Sequence, residues 1–210
     1  MSPTLDVERL ILKSGAHEEA SKEMCIMEAV AYVANEPWSD HPQCASPVIA
    51  AFLRSYNDSV SDEVRQTLKP FILRLVGTAA SEVVEQRRAI MATDWLIRVH
   101  APAWLRLAGL TANAEALAGL PEITDTAQFP SIKAPLEAAR TDAAAARAAA
   151  RDAARAAAWA AVRAATRAAT WDAVRDAAGD AARAARRIVD PVVAQLQKSA
   201  FDLLDRMINV

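Results

Sequence analysis

Six side chains that can bind a metal or transfer a proton lie within the first 45 residues. They are His17, Cys25, Glu28, Asp40, His41 and Cys44. Thiolate, imidazole and carboxylate groups are the ligands that zinc prefers, so Cys25, His41 and Cys44 form a candidate metal site. The spacing of the two cysteines matches no standard zinc signature, and two other interpretations stay open. Cys25 is either a nucleophile with a base beside it or a core residue, with Asp40 and His41 fixing a loop.

A second candidate site is a binding groove around His100 and Trp104. Bulky apolar and charged residues alternate over 94–98 and again over 104–106, which an amphipathic core helix also explains. The sequence contains no glycine-rich phosphate loop, nucleophile elbow, His-Glu-x-x-His motif or dinucleotide fingerprint. We therefore assign no catalytic residue and no cofactor, and a role other than catalysis is favoured.

The clearest pattern is a four-residue repeat in an alanine-rich stretch. The predicted interaction residues occupy its marked positions: Arg147, Arg151, Arg155, Trp159, Arg163, Arg167, Trp171 and Arg175. Alanine and arginine both favour helix, so one long helix is expected. Because four residues turn about 400°, the marked row rotates by roughly 40° at each step. The arginines therefore form neither one straight basic face nor a heptad seam. Drift of a GC-rich coding sequence is an alternative origin of the repeat.

Charge is distributed unevenly along the 210 residues. The whole chain carries a formal charge of −2, yet residues 142–187 contain nine arginines and five aspartates. That segment is basic and the remainder is acidic, which favours an electrostatic contact within one chain or between chains. The negative total and the intervening aspartates argue against a general nucleic-acid binder. Binding of nucleic acid through the arginine-rich helix remains the alternative function.

Composition sets the class of protein. Hydrophobic residues make up 53% of the chain, but much of this is alanine, which buries little area. No apolar run is long enough for a membrane span, and the first residues do not resemble a signal peptide. With two cysteines and no disulfide framework, we expect a cytoplasmic protein that does not enter membranes.

Helix signals place these residues in an all-α fold. Ser46 and Ser61 are predicted N-caps, and a helix over 18–35 puts Cys25 in its interior. Inward-facing residues of the helix after Ser81 are expected to include Val84, Ile90, Trp95 and Leu96. The predicted parts are an N-terminal helical bundle over 1–133, a long Ala/Arg-rich helix over 134–189 and a short C-terminal helix over 190–210. Asp190 and Pro191 are expected to cap and open that last helix.

Five stretches resemble an uncharacterised helical family encoded in bacterial and phage genomes. They read MCIMEAVAY at 24–32, EPWSDHPQC at 36–44, RLVGT at 74–78, ATDWL at 92–96 and AFDLLDRMI at 200–208. The resemblance covers roughly residues 14–120 and the tail, and it implies alanine-rich repeats of varying length between them. It implies no activity and no functional residue. A fixed head and tail around a helix of variable length suits a spacer or an assembly element. We therefore expect protein–protein interaction or self-assembly, as a homo-oligomer or with a protein partner, through the long helix as a coiled-coil-like contact.

Overall fold

The computed structural model describes residues 7–18, 23–168 and 171–210. Among them, the side chains of Glu8, Ala154 and residues 157–182 are not described. The structure is almost entirely helical, which confirms the predicted all-α class. Two short strands are the exception in the described part of the chain. None of the described helices combines the length and the apolarity that a membrane span requires.

The elements follow one another along the chain with short connections. The strands are β1 (Ile11–Leu12) and β2 (Glu23–Met24), and the helices are α1 (Ile26–Val33), α2 (Pro47–Ser59), α3 (Asp62–Gln66), α4 (Ile72–Leu75), α5 (Glu82–Trp95), α6 (Ala101–Leu107), α7 (Thr111–Ala118), α8 (Phe129–Ala168) and α9 (Trp171–Ile208). Single 3-10 turns occupy Val7–Arg9, Lys69–Phe71 and Thr126–Gln128, and a wider π turn, Leu96–His100, joins α5 to α6.

The predicted N-caps of α2 and α3 are confirmed. The hydroxyl of Ser46 accepts a hydrogen bond from the N–H of Ile49 at 3.2 Å, and Pro47 fills the first helical position. The hydroxyl of Ser61 accepts from the N–H of Val64 at 3.4 Å. Each cap satisfies an N–H that the first helical turn leaves without a partner. These local signals therefore fix where both helices begin.

The predicted helix over 18–35 is wrong at Glu18 and over 23–25, and residues 19–22 lie outside the described part of the chain. The chain pairs β1 with β2 in parallel, with Leu12 opposite Met24, and α1 begins only at Ile26. The side-chain amide of Gln66 donates to the carbonyl of Leu12 at 2.9 Å and accepts from its N–H at 3.0 Å. This amide satisfies backbone groups that β1 would otherwise leave without a partner.

The chain divides into two compact units. The first contains the described residues up to Ala92 together with Asp202–Val210, and the second is Thr93–Phe201. These limits differ from the predicted boundaries at 133 and 189. The core of the first unit includes Leu12, Met24, Ile26, Met27, Ile49, Leu53, Leu68, Ile72, Leu75, Leu203, Leu204 and Met207, all at most 1% exposed. The end of the chain therefore completes a core that its beginning starts.

A buried arginine joins three parts of the first unit. The guanidinium of Arg88 donates to the carbonyl of Met207 at 2.9 Å and to the carbonyl of Thr78 at 2.6 Å. It also pairs with the carboxylate of Glu85 at 2.7 Å. Arg88 is 2% exposed, so its charge is separated from water and depends on these partners. Its contacts fasten α5 to the C-terminal end of α9.

In the second unit, the π turn changes which residues face inward. Trp95 and Ile97 are buried, whereas Leu96 is 47% exposed, so the prediction that Leu96 faces inward is wrong. A π turn inserts one residue more than an α turn, which rotates the following side chains around the axis. The indole N–H of Trp95 donates to the hydroxyl of Ser199 at 3.1 Å and joins α5 to α9.

The long alanine-rich segment differs from its predicted limits. Helix α8 begins at Phe129 and contains Pro135, five residues before the predicted start at 134. Helix α9 continues through Asp190 and Pro191, so the predicted separate C-terminal helix over 190–210 is wrong. The φ angle of proline is compatible with a helix, and Pro191 removes one backbone hydrogen bond without ending the helix. Strong helix formers on its N-terminal side favour that outcome.

The Arg88 contacts generate a prediction about stability. Arg88→Ala should lower the free energy of unfolding by about 3 kcal/mol, because it removes the cation beside the carboxylate of Glu85 and the donor of two carbonyls in a buried environment. Urea denaturation followed by circular dichroism measures this change. Arg87→Ala is the matched control, since Arg87 is exposed and its loss should change the free energy by less than about 0.5 kcal/mol. Equal effects of the two substitutions would contradict the role assigned to Arg88.

Candidate functional site

The structure brings together three of the six predicted reactive residues. Glu28 is 1% exposed, and one of its carboxylate oxygens lies 2.8 Å from Nδ1 of His17. The same oxygen accepts a hydrogen bond from the N–H of Cys25 at 2.7 Å, while the other accepts from the N–H of His17 at 2.5 Å. The indole of Trp38 donates to the carbonyl of His17 at 2.7 Å. These contacts fasten the segment around His17 to the start of α1.

Cys25 is the N-cap of α1 and not an interior helical residue as predicted. Its sulfur accepts a hydrogen bond from the N–H of Glu28 at 3.4 Å, and the carboxylate of Glu28 accepts one from the N–H of Cys25. This reciprocal pair is a capping box. Burial, the largest cause, raises the pKa of the Cys25 thiol from 9.0 to about 12. A nucleophilic cysteine needs the opposite change. The cluster therefore holds the segment around His17 against the start of α1 and does not activate the thiol.

The other three residues lie in a separate loop. Nδ1 of His41 is 2.6 Å from the carboxylate of the adjacent Asp40, whose carbonyl accepts from the guanidinium of Arg54 at 2.9 Å. Burial and a hydrogen bond to Glu36 raise the pKa of the Cys44 thiol. In the described part of the chain, no group of three or more His, Cys, Asp or Glu residues is arranged to hold a metal ion. The predicted metal site of Cys25, His41 and Cys44 is therefore not formed by these side chains.

The second predicted site corresponds to an open apolar groove in the second unit. One cavity of about 520 Å³ lies between α6, α7 and α8, and its lining includes Trp104, Leu105, Leu117, Leu136, Ala139 and Ala146. A second cavity of about 530 Å³ is lined by Ile97, Phe129, Ile132 and Leu136, among others. Leu136 borders both cavities, and we call the two together the groove. Volumes of this size are typical of binding sites.

His100 holds Trp104 in place at the groove. Nε2 of His100 accepts a hydrogen bond from the indole N–H of Trp104 at 3.2 Å, so the neutral ring carries its proton on Nδ1. Burial lowers the pKa of His100, which favours this neutral form. The ring centroid of Trp95 lies 5.1 Å from that of His100. Trp104 is 37% exposed and therefore presents a fixed aromatic face to the groove.

Two arginines of the groove have no counter-ion among the described residues. Arg140 and Arg147 both line the cavity between α6, α7 and α8, and no ion pair or hydrogen bond joins either of them to another described residue. Nearby cations differ, since Arg98 pairs with Asp94 at 3.1 Å and Arg106 with Glu115 at 2.9 Å. The cavity between α6, α7 and α8 therefore has an apolar floor and a basic rim.

The predicted interaction residues divide into two sets. Arg147 lines the groove, while Arg151 and Arg155 are exposed on α8. The guanidinium of Arg155 lies 3.6 Å from the carboxylate of Asp152, and both side chains are over 75% exposed. The side chains of Trp159, Arg163, Arg167, Trp171 and Arg175 lie outside the described residues.

The sequence analysis missed the residues that make α8 a wall of the groove. These residues are spaced at alternating steps of four and three, and each of them lines a cavity or is buried: Ile132, Leu136, Ala139, Ala143, Ala146 and Ala150. This alternation keeps them on one helix face, unlike the four-residue arginine row. Asn113 on α7 donates to the carboxylate of Asp142 at 3.0 Å and fixes α8 beside α7. The signal was present in the sequence as the spacing of the apolar residues.

Comparison with protein-family models, curated proteins and solved structures gives no match for this chain. The resemblance to a phage-encoded family therefore stays a prediction.

The raised pKa of Cys25 predicts its reactivity. In a Cys44→Ser variant, Ellman's reagent at pH 8 should modify Cys25 only as fast as the protein unfolds, because a pKa of about 12 leaves roughly one thiol in 10⁴ ionised. Absorbance at 412 nm follows the reaction, and the urea-unfolded variant is the control that should react at once. Since the folded state retains this proton, the contribution of the thiol to stability is complete below pH 9 and decreases as the pH rises toward 12. Rapid modification of the folded variant would contradict the structural role.

Proposed function

We propose that this protein works by protein–protein interaction or self-assembly, with helix α8 as its contact surface. The observation that supports the proposal best is the groove, an apolar surface that opens to solvent between α6, α7 and α8. Contiguous apolar surface of this kind typically marks an interaction site. Trp104 adds a large aromatic side chain, one of the residue types that contribute most to binding energy at interfaces.

The dimensions of the groove favour a protein segment over a small ligand. Its two cavities follow α8 from Pro130 to Ala150, which is a distance of roughly 30 Å at 1.5 Å per residue. A segment of a partner protein spans this length and inserts side chains into both cavities, as in other complexes that seat a peptide in an apolar groove. Alanine methyl groups on the α8 wall permit close approach of the partner backbone.

The exposure of α8 beyond the groove supports the same function. Every described side chain from Arg147 to Ala156 is exposed, so this part of the helix gains little from burial within its own chain. Helices in proteins obtain most of their stability from packing an apolar face. Contact with another chain removes the exposed alanine methyl groups from water and supplies that packing.

Nucleic-acid binding is the second candidate, and the exposed guanidiniums of Arg147 and Arg151 favour it. A complex with nucleic acid should weaken steeply as salt increases, because bound phosphates release counterions. Replacing Arg147, Arg151 and Arg155 together by Ala should then abolish binding to a fluorescein-labelled 20-base-pair duplex in fluorescence anisotropy. Salt-insensitive anisotropy, or equal values for both proteins, would remove this candidate.

The groove generates a prediction about association. Ala146→Lys places a charged, longer side chain among apolar groups at the groove, which should weaken self-association at least tenfold, corresponding to about 1.4 kcal/mol. Size-exclusion chromatography with multi-angle light scattering, over a series of protein concentrations, measures the change in mass from oligomer toward the 22.6 kDa chain.

Ala148→Lys is the matched control for this experiment. Ala148 is exposed on the same helix and does not line either cavity, so the variant has the same added charge but should assemble like the wild type. A wild-type protein that remains a monomer at every concentration would contradict self-assembly. Equal association of the two variants would contradict the groove as the contact surface.

A further inference from the structure

The first unit contains an exposed apolar surface of its own. Leu73, Val76 and Val83 are 65%, 38% and 76% exposed, and Ala79 and Ala80 between them are exposed as well. Single exposed apolar residues are common on protein surfaces. Three large ones within eleven residues are more than isolated cases, and apolar groups exposed this close together in the sequence favour contact with another apolar surface. We call residues 73–83 the apolar loop.

Buried hydrogen bonds hold the apolar loop in one conformation. At its centre Thr78 is 8% exposed, and its hydroxyl donates to the carbonyl of Leu75 at 2.7 Å and accepts from the N–H of Ser46 at 3.0 Å. The N–H of Ala79 donates to the carbonyl of Cys44 at 3.1 Å. Gly77 makes the turn at a φ of 81°, which is unfavourable for other residues. The exposed side chains are therefore presented by a rigid backbone, and binding costs little conformational entropy.

The two units have opposite charge. Residues 1–92 and 202–210 contain 15 acidic and 10 basic side chains, a formal charge of −5. Residues 93–201 contain 11 acidic and 14 basic side chains, a formal charge of +3. The apolar loop belongs to the acidic unit: its one cation, Arg74, pairs with the carboxylate of Asp205 at 2.7 Å, and its Glu82 is exposed. The groove with Arg140 and Arg147 belongs to the basic unit. Opposite charge steers two such surfaces together.

From these observations we infer that the groove of one copy binds the apolar loop of a second copy. The inference rests on the proposed function and names its partner. A contact between two grooves would bring Arg140 and Arg147 of both copies into one interface, where their like charges repel. Contact between the loop and the groove instead pairs an acidic unit with a basic rim. Because the two surfaces differ, the contact is heterologous and the copies add head to tail, in a ring or an open chain.

Two single substitutions separate this arrangement from others. Val83→Lys introduces a positive charge into the apolar loop, and Ala146→Lys introduces one into the groove, so each variant retains one intact surface. Each variant alone should be a monomer in size-exclusion chromatography with light scattering. An equimolar mixture should form a dimer of twice 22.6 kDa and nothing larger, because only one loop and one groove in each pair remain able to bind. Ser55→Lys and Ala148→Lys add the same charge at exposed positions and should assemble like the wild type.

The outcomes distinguish the inference from the proposed function. If Val83→Lys assembles like the wild type while Ala146→Lys does not, the groove is the contact surface but the apolar loop is not its partner. If both variants are monomers and their mixture is also monomeric, the loop and the groove do not bind each other, and the inference fails. If the wild type is itself a monomer at all concentrations, both self-assembly and the inference fail. Circular dichroism of each variant verifies that it is folded, as expected for substitutions at exposed or half-buried positions.

Discussion

The charge of Arg88 is the constraint on which the first unit depends. A guanidinium that is almost completely buried must be matched by acceptors, because removal from water costs several kcal/mol. Two acceptors are near in the sequence, Glu85 in α5 and Thr78 in the preceding loop, and the third is Met207 near the C-terminus, 119 residues away. Satisfying one side chain therefore requires that the C-terminal end of α9 folds against α5 and the loop before it.

This requirement explains the organisation of the chain. The last residues, including Leu203, Leu204 and Met207, are buried in the first unit, so the second unit is inserted between two parts of one core. The insertion contains the alanine-rich helices, whose described side chains beyond Ala146 on α8 are exposed up to Ala156. Because those side chains add little to a core, substitutions among them should disturb folding less than substitutions in the first unit. The surface that the proposed function needs is thus located where the fold tolerates change.

Local signals explain the correct sequence predictions, and tertiary contacts explain the incorrect ones. Ser46 and Ser61 were predictable as N-caps because the hydroxyl and the N–H that it accepts lie three residues apart. Leu96 was misassigned because its apolar side chain alone suggested an inward position, whereas it stands at the start of the π turn and is 47% exposed. Pro191 did not end α9, because proline weakens a helix without excluding it. The sequence could not reveal the separation of Cys25 from His41 and Cys44, since spacing along the chain does not determine distance in the fold.

The candidate site was predictable in part. A binding groove around His100 and Trp104 was one of two interpretations of the sequence; Trp104 lines the groove, and His100 accepts a hydrogen bond from its indole N–H. It did not reveal the α8 wall, because the four-residue arginine row is more conspicuous than the alternating steps of three and four that Ile132, Leu136 and Ala139 begin. Only those alternating steps keep one helix face toward α6 and α7.

The apolar loop depends on the same guanidinium that joins α5 to the C-terminal tail. Arg88 donates to the carbonyl of Thr78 within the loop and to the carbonyl of Met207 in the tail. Without the docked tail, the buried guanidinium has one acceptor fewer and its charge beside the loop is poorly satisfied. Docking of the C-terminal end of α9 therefore stabilises the backbone that presents Leu73, Val76 and Val83. In the proposed assembly, the loop would act as a contact surface in chains whose tail is docked, because a rigid surface binds at a smaller cost in conformational entropy.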